Sequence, residues 1–314
     1  MDKDTIKRLI IEYQQFVANI TLIEREIHLS HQLNYVFVGL RRAGKSYLMY
    51  QQIQSLLNDG HQPEEILYFN FEDDRLVNLT VEDLDLIKVS YEELYPHKPI
   101  FFLDEIQIVE HWEKFARRLA DQQYRVYITG SNAKMLSAEI ATTLGGRYIV
   151  QNVYPFSFSE FLKASKIEIG PTWYYKNRTE IVRTFSDYFS YGGLPELMLI
   201  ETIEKRQWLS NLFNKIFFGD LITRYSIRND LAMKVLIRKL AESVKQPSSF
   251  NRLTNIVSTT GAKVSTDTII DYLNFLQATW LFFSLENYAS KLVEKISNRK
   301  YYFIDNGLLN LSLI

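Results

Sequence analysis

The sequence predicts an α/β protein: a parallel sheet covered on both faces, followed by an α-rich region that contains a winged helix. Three observations predict it. Short apolar runs at 35–38, 66–71, 100–103, 125–129 and 149–153 alternate with segments whose apolar residues recur at helical spacing, as strands buried on both sides require. A glycine loop, Gly39 to Gly44, joins the first run to a helical segment. Beyond about Phe161 the alternation stops, and helical patterns rich in Tyr and Phe take over.

Bulk properties narrow the class. The 314 residues are enough for two cores, and 46% hydrophobic with 23% charged residues is a globular composition. Lys and Arg number 36 against 37 Asp and Glu, a formal charge of −1, so nucleic acid could be held only by a local patch. There is no cysteine, which excludes disulfides and thiolate metal sites and fits a reducing cytoplasm. Met1-Asp2-Lys3-Asp4 begins no signal peptide, and no apolar run approaches membrane-spanning length. The expectation is a cytoplasmic protein with no membrane partner.

The first domain is expected over 1–162. Its N-terminal helix, 5–26, places Ile6, Leu9, Ile10, Tyr13, Phe16, Val17 and Ile20 on one stripe that packs on its own domain. Gly39-Leu40-Arg41-Arg42-Ala43-Gly44-Lys45-Ser46 then matches G-x-x-x-x-G-K-[ST], the phosphate-binding P-loop, in its required setting of strand, loop and helix. Gly39 and Gly44 permit torsions that a side chain forbids, so that N–H groups can turn inward around an anion at a helix N-terminus. Gly39, Leu40, Arg41, Arg42, Ala43, Gly44, Lys45, Ser46 and Tyr47 form the nucleotide-binding set. Lys45 reaches the β- and γ-phosphates, and Ser46 is placed to ligate Mg²⁺.

Glu72-Asp73-Asp74 ends the second strand and reads as a solvated loop, and 81–95 reads as a carboxylate-rich helix. Ile100-Phe101-Phe102-Leu103 runs into Asp104-Glu105, two carboxylates at the strand end where open parallel sheets hold ligands. Behind a P-loop this is the Walker B pattern: Asp104 would hold Mg²⁺ and Glu105 would orient and deprotonate the attacking water. Gly130-Ser131-Asn132 closes the fourth strand, where a polar side chain can touch the γ-phosphate or the attacking water, cap the next helix, or do both. Arg147 follows Gly145-Gly146; spacing allows an arginine finger, in cis or in trans, and equally a structural salt bridge.

These motifs together resemble a known family. Gly39 to Ser46, Phe102 to Gln107, Thr129 to Asn132, Leu144 to Arg147, Tyr154-Pro155-Phe156-Ser157-Phe158-Ser159-Glu160-Phe161, Tyr191-Gly192-Gly193-Leu194-Pro195-Glu196 and Tyr302 to Leu308 occur in the order seen in prokaryotic AAA-type P-loop ATP-binding proteins with a C-terminal domain of unknown function, the AAA plus DUF4143 type. The resemblance implies an additional-strand P-loop NTPase with sheet order 5-1-4-3-2, then a helical region and a winged helix. It implies sensor duty for Asn132 or Ser131 and finger duty for Arg147. Relatives continue into a nuclease-like domain, so the chain is expected to be C-terminally truncated beside them.

The second domain is expected over 163–314, with a linker at 163–178. Ser248-Ser249 and Ser265 can cap two helices, 250–259 and 266–278, around Gly261, and apolar runs at 280–285 and 300–304 supply a strand pair. Between Leu221 and Lys263 there are eight basic and two acidic residues. The partners considered are ATP or ADP with Mg²⁺, a homo-oligomer and, for the winged helix, either duplex DNA through residues 221–288 or another protein. The reading is a Mg²⁺-dependent ATPase acting as a switch or motor. Its alternatives are a nucleotide-gated protein-interaction module with little turnover and, less supported because Glu105 points to water, a small-molecule kinase.

Overall fold

The structure, a computed structural model, describes residues 2–76, 79–130, 142–168, 170–244, 246–261, 263–289, 291, 295 and 298–313. The chain forms two units, one of residues 1–39 and 44–153, the other of 40–43 and 154–314.

The first unit is built on five parallel strands: β1 (Asn34–Val38), β2 (Ile66–Asn70), β3 (Ile100–Asp104), β4 (Val126–Gly130) and β5 (Tyr148–Asn152). Their order is β2-β3-β4-β1-β5, which is the expected 5-1-4-3-2 seen from the opposite edge. Strands β1 to β4 are buried almost end to end, whereas β5, at the edge, exposes Ile149 and Val150. The described helices are α1 (Lys3–Asn19), α2 (Lys45–Asn58), α3 (Val81–Leu94) and α4 (Trp112–Asp121), the last burying Trp112, Phe115, Ala116 and Leu119. Aromatic rings make one rung across the sheet: Tyr68 pairs with Phe102, Phe102 with Tyr127, and Tyr127 with Tyr35. Two residues further along, on the same face, Asp104 of β3 and Thr129 of β4 form a polar rung.

Helix α1 begins where Asp2 accepts the Thr5 N–H, and it buries Ile6, Leu9, Ile10 and Val17. It packs within its own unit, as expected, but ends at Asn19 rather than at residue 26. The apolar period continues, yet α2 draws the chain out straight. Gln54 donates to the Val17 and Ile20 carbonyls, and Gln51 both accepts the Arg25 N–H and donates to the Arg25 carbonyl. The acidic loop after β2 is structural: Asp73 accepts from Tyr13 and Arg75, and the Arg75 guanidinium holds its carboxyl well below the usual range.

The second unit contains α5 (Phe158–Ala164), α6 (Arg178–Tyr191), α7 (Thr202–Asn214), a π-helix (Lys215–Thr223), α8 (Asp230–Glu242), α9 (Phe250–Thr259), α10 (Thr266–Ala278) and α11 (Asn306–Ser312). Inside the stretch expected to be a linker, Ile167 packs with Leu162 and Ile181. Ser249 and Ser265 cap α9 and α10 as predicted. Strands β6 (Ser248–Ser249), β7 (Phe282–Leu285) and β8 (Asn298–Phe303) form an antiparallel sheet of order β6-β8-β7, which completes the winged helix. Two motifs of the sequence meet at Asp305. Its carboxylate caps α11 by accepting from Gly307 and Leu308 N–H and accepts the Gly193 N–H at 2.8 Å. Burial pushes this carboxyl up to about 6 against the pull of those three donors. Among the described residues no helix is long and apolar enough to cross a membrane.

Candidate active site

Parallel strands deliver their C-terminal ends to one edge, so the loop after β1, the carboxylates after β3 and the end of β4 converge there. Gly39 leaves β1 against β5: the Val153 N–H donates to the Val38 carbonyl, and a Cβ on Gly39 would overlap the Val153 carbonyl. Gly44 lies in the left-handed region, φ 93°, and is the N-cap of α2. The predicted phosphate loop thus ends at a helix N-terminus, where N–H groups have no intrahelical partner and the dipole favours an anion.

Lys45 opens α2, is 5% exposed, and donates to the Gly39 carbonyl at 3.3 Å. Tyr47, on the first turn, is half exposed. Leu40 to Ala43 belong to the second unit, and both arginines are ion-paired inside it. Arg41 donates to Asp220 from Nε at 2.6 Å and from Nη2 at 3.2 Å, and Arg224 reaches the same carboxylate at 2.9 Å. Arg42 pairs with Glu196 and lies over the Trp208 ring. These guanidiniums are committed to carboxylates, so the backbone of the loop is the part suited to phosphate.

Asp104 is 2% exposed and ends β3. Its Oδ1 accepts from the Thr129 hydroxyl and its Oδ2 from the Tyr68 hydroxyl at 2.7 Å, and the Ser46 hydroxyl lies near enough to act on it. Burial pushes its carboxyl above the ordinary value, while these hydroxyls pull it back and the neighbouring Glu105 charge adds to the rise. Glu105 takes a left-handed backbone, φ 56°, and its N–H donates to Thr129 Oγ1 at 2.9 Å. That is an unfavourable conformation for a residue with a side chain, of the sort concentrated at functional sites. Gln107 donates to the Glu105 carboxylate, and Gln107 Oε1 beside it is buried without a hydrogen-bond partner among the described residues.

This donor set fits Mg²⁺. A buried carboxylate within reach of a serine hydroxyl is a hard oxygen pair. Among the described residues no cluster of three or more acidic, His or Cys ligands exists. Mg²⁺ ordinarily takes one or two protein oxygens and completes its shell with phosphates and water, so the pair suffices. The orphaned Gln107 oxygen is a place for a water O–H.

Ser131 and Asn132, for one of which the resemblance implies sensor duty, lie outside the described residues. Arg147 forms an ion pair with Asp121 at 2.5 Å and points back at the Leu144 and Gly145 carbonyls. That is the structural salt bridge its spacing equally allowed; finger duty would require breaking it. Sequence reasoning missed Tyr68 and passed over Thr129. Among the eight basic residues of 221–263, Arg224, Lys234, Arg238 and Lys239 are ion-paired, the last three with Asp230 or Glu242 on their own helix.

An AAA domain family matches residues 31–162, and a domain of unknown function, DUF8612, matches residues 182–313. The uncharacterized protein MJ1544 of Methanocaldococcus jannaschii is 33% identical over 315 residues, 99% of this chain and 69% of its own length. An uncharacterized protein of Haemophilus influenzae is 32% identical over 300 residues, 91% of this chain and 72% of its own. The Walker-type ATPase PABY2304 of Pyrococcus abyssi superposes with a TM-score of 0.53 at 11% identity, over 100% of this chain and 96% of that one, a likeness of fold alone. The chain belongs to the AAA-type P-loop ATPase family whose members carry a C-terminal domain of unknown function, and MJ1544 and the Haemophilus influenzae protein are its relatives there.

Proposed function

We propose that this protein binds ATP at the loop Gly39–Tyr47 and hydrolyses it with Mg²⁺, working as a nucleotide-driven switch or motor. The observation that carries the reading is the meeting, at one sheet edge, of a glycine loop at a helix N-terminus with Ser46, Glu105 and the buried Asp104. In this reading the loop N–H groups cradle phosphate oxygens, and Lys45 moves from the Gly39 carbonyl to the β- and γ-phosphates. Ser46 and Asp104 would hold Mg²⁺, which would neutralise charge on the phosphates. Glu105, oriented by Gln107, takes a proton from water as the water oxygen bonds to the γ-phosphorus and the bond to the ADP oxygen breaks.

The test is nucleotide binding and phosphate release by the purified chain. Lys45→Ala is expected to lose binding, because Lys45 contacts phosphate in the ground state. Glu105→Gln is expected to keep binding and lose turnover by about 100-fold or more, the range of a general base. Near-normal turnover in Glu105→Gln would assign the base elsewhere, and a wild-type chain that binds no ATP would end the reading.

A second reading concerns residues 221–288, as a surface for duplex DNA gripped through its phosphates. The excess of basic residues there favours it. The helix that would enter a groove, α10, presents Thr266, Asp267, Asp271 and Asn274 but no Arg or Lys, so base readout would be poor.

A further inference from the structure

Tyr68 looks like a core aromatic, and its ring is one: 2% exposed, it is met by the ring of Tyr13 on one side and of Tyr50 on another, each at 5.3 Å. Packing accounts for the ring and not for the hydroxyl. The neighbouring buried positions Phe69, Phe71 and Phe102 carry no hydroxyl, and a buried hydroxyl is costly unless it is bonded.

The sheet register explains where the hydroxyl goes. Tyr68 pairs with Phe102, and Asp104 lies two residues further along β3 on the same face. A diagonal neighbour at that offset is within reach of a long aromatic side chain. Tyr68 Oη meets Asp104 Oδ2 at 2.7 Å. An ionised carboxylate can only accept, so the single Tyr68 proton is committed to Asp104. In the 3.1 Å contact between the Tyr50 and Tyr68 hydroxyls, Tyr50 must then be the donor. A directed chain, Tyr50 to Tyr68 to Asp104, runs from the helix after the phosphate loop to the carboxylate at the end of β3. Thr129 holds the other oxygen of that carboxylate.

We infer that Tyr68 is a positioning residue for the divalent cation: its hydroxyl, reinforced by Tyr50, pins the Asp104 carboxylate from the β2 side, opposite Thr129 and beside Ser46. The inference rests on the Mg²⁺–ATP reading above. Removing a partner that orients a metal-binding carboxylate in this way typically costs about ten- to a hundredfold in metal affinity.

The test is Mn²⁺ binding to the ADP complex of the full chain, followed by electron paramagnetic resonance, with no turnover involved. In Tyr68→Phe the Mn²⁺ dissociation constant is expected to rise roughly ten- to a hundredfold. Tyr50→Phe should move it the same way by less, about two- to fivefold, since it only strengthens the next bond. Tyr13→Phe, which removes a hydroxyl bonded to Asp73 beside the same ring, should leave it unchanged. ADP affinity in EDTA should be the same in all three, which separates loss of metal from loss of the fold. Wild-type Mn²⁺ affinity in Tyr68→Phe overturns the inference, as does an equal loss in Tyr13→Phe. A wild-type chain whose ADP complex takes up no Mn²⁺ overturns the Mg²⁺–ATP reading itself.

Discussion

Thr129→Val removes one hydroxyl and keeps the side-chain shape. The residue is fully buried, its hydroxyl donates to Asp104 and it accepts the Glu105 N–H at 2.9 Å, so one atom serves two neighbours. Losing a hydrogen bond to a charged acceptor costs about 1.5–3 kcal/mol, and leaving the half-buried Glu105 N–H without its acceptor adds about 1 kcal/mol, the low end of the range for an orphaned donor. The expected destabilisation at neutral pH is therefore about 3 kcal/mol. Its pH dependence has a definite sign. Burial already raises the Asp104 carboxyl above its unfolded value, and loss of the Thr129 donor raises it further. Stability associated with such a group is present below the unfolded value and lost as pH rises through the folded one. The penalty of Thr129→Val should thus be smallest in acid and grow toward neutrality. Thr129→Ser, which keeps the hydroxyl, should cost only about 1 kcal/mol for its lost methyl. Urea unfolding of the nucleotide-free chain at pH 5 and pH 7.5 measures all three proteins. A Val variant as stable as the Ser variant at pH 7.5, or a penalty that grows toward acid, would refute the reasoning.

Two further outcomes are expected. Asp305→Asn keeps an acceptor for Gly307 and Leu308 but turns an amide N–H toward the Gly193 N–H, now 2.8 Å from Oδ2, so it should destabilise by about 1–3 kcal/mol in thermal unfolding; wild-type stability would show that the junction does not depend on that oxygen. If the winged helix holds DNA through phosphates, affinity of the full chain for duplex DNA should fall by roughly 0.9 log unit per log unit of salt for each phosphate contacted. A salt-independent affinity, or no binding at low salt, would turn residues 221–288 toward a protein partner.

Strands β1 to β5, β7 and β8 were legible from short apolar stretches between polar breaks, and the expected runs agree with them to within a residue or two; β6, Ser248–Ser249, has no apolar residue and was read only as a helix cap. The two capped helices of the winged helix were legible for a similarly local reason, a serine before each apolar period. Strand order was not. It rests on pairings between residues far apart in the chain, and it entered only through resemblance to a family. The end of α1 was illegible for the same reason. Nothing in residues 20–26 breaks a helical pattern, and the glutamines that take the Val17 and Ile20 carbonyls and hold Arg25 straight sit on α2.

At the site, charge was legible and its support was not. Gly39, Gly44, Lys45, Ser46, Asp104 and Glu105 announce themselves because phosphate and metal chemistry needs those residue types at that spacing. Thr129 and Tyr68 do not, since a strand residue facing inward looks like core whether or not its hydroxyl is used. One argument could have found them. A carboxylate at the end of a strand buried on both faces must be bonded to stay ionised, and the neighbouring strands are the nearest source of donors. Given the order β2-β3-β4, the candidates beside Asp104 are the residues level with it or diagonal to it. Those include Asn70, level with it on β2, as well as Thr129, 25 residues away in sequence, and Tyr68, 36 residues away; the last two bond to it. The burial of one charge, combined with strand order, therefore narrows the search to a few residues, among them two hydroxyls that no spacing rule along the chain would select.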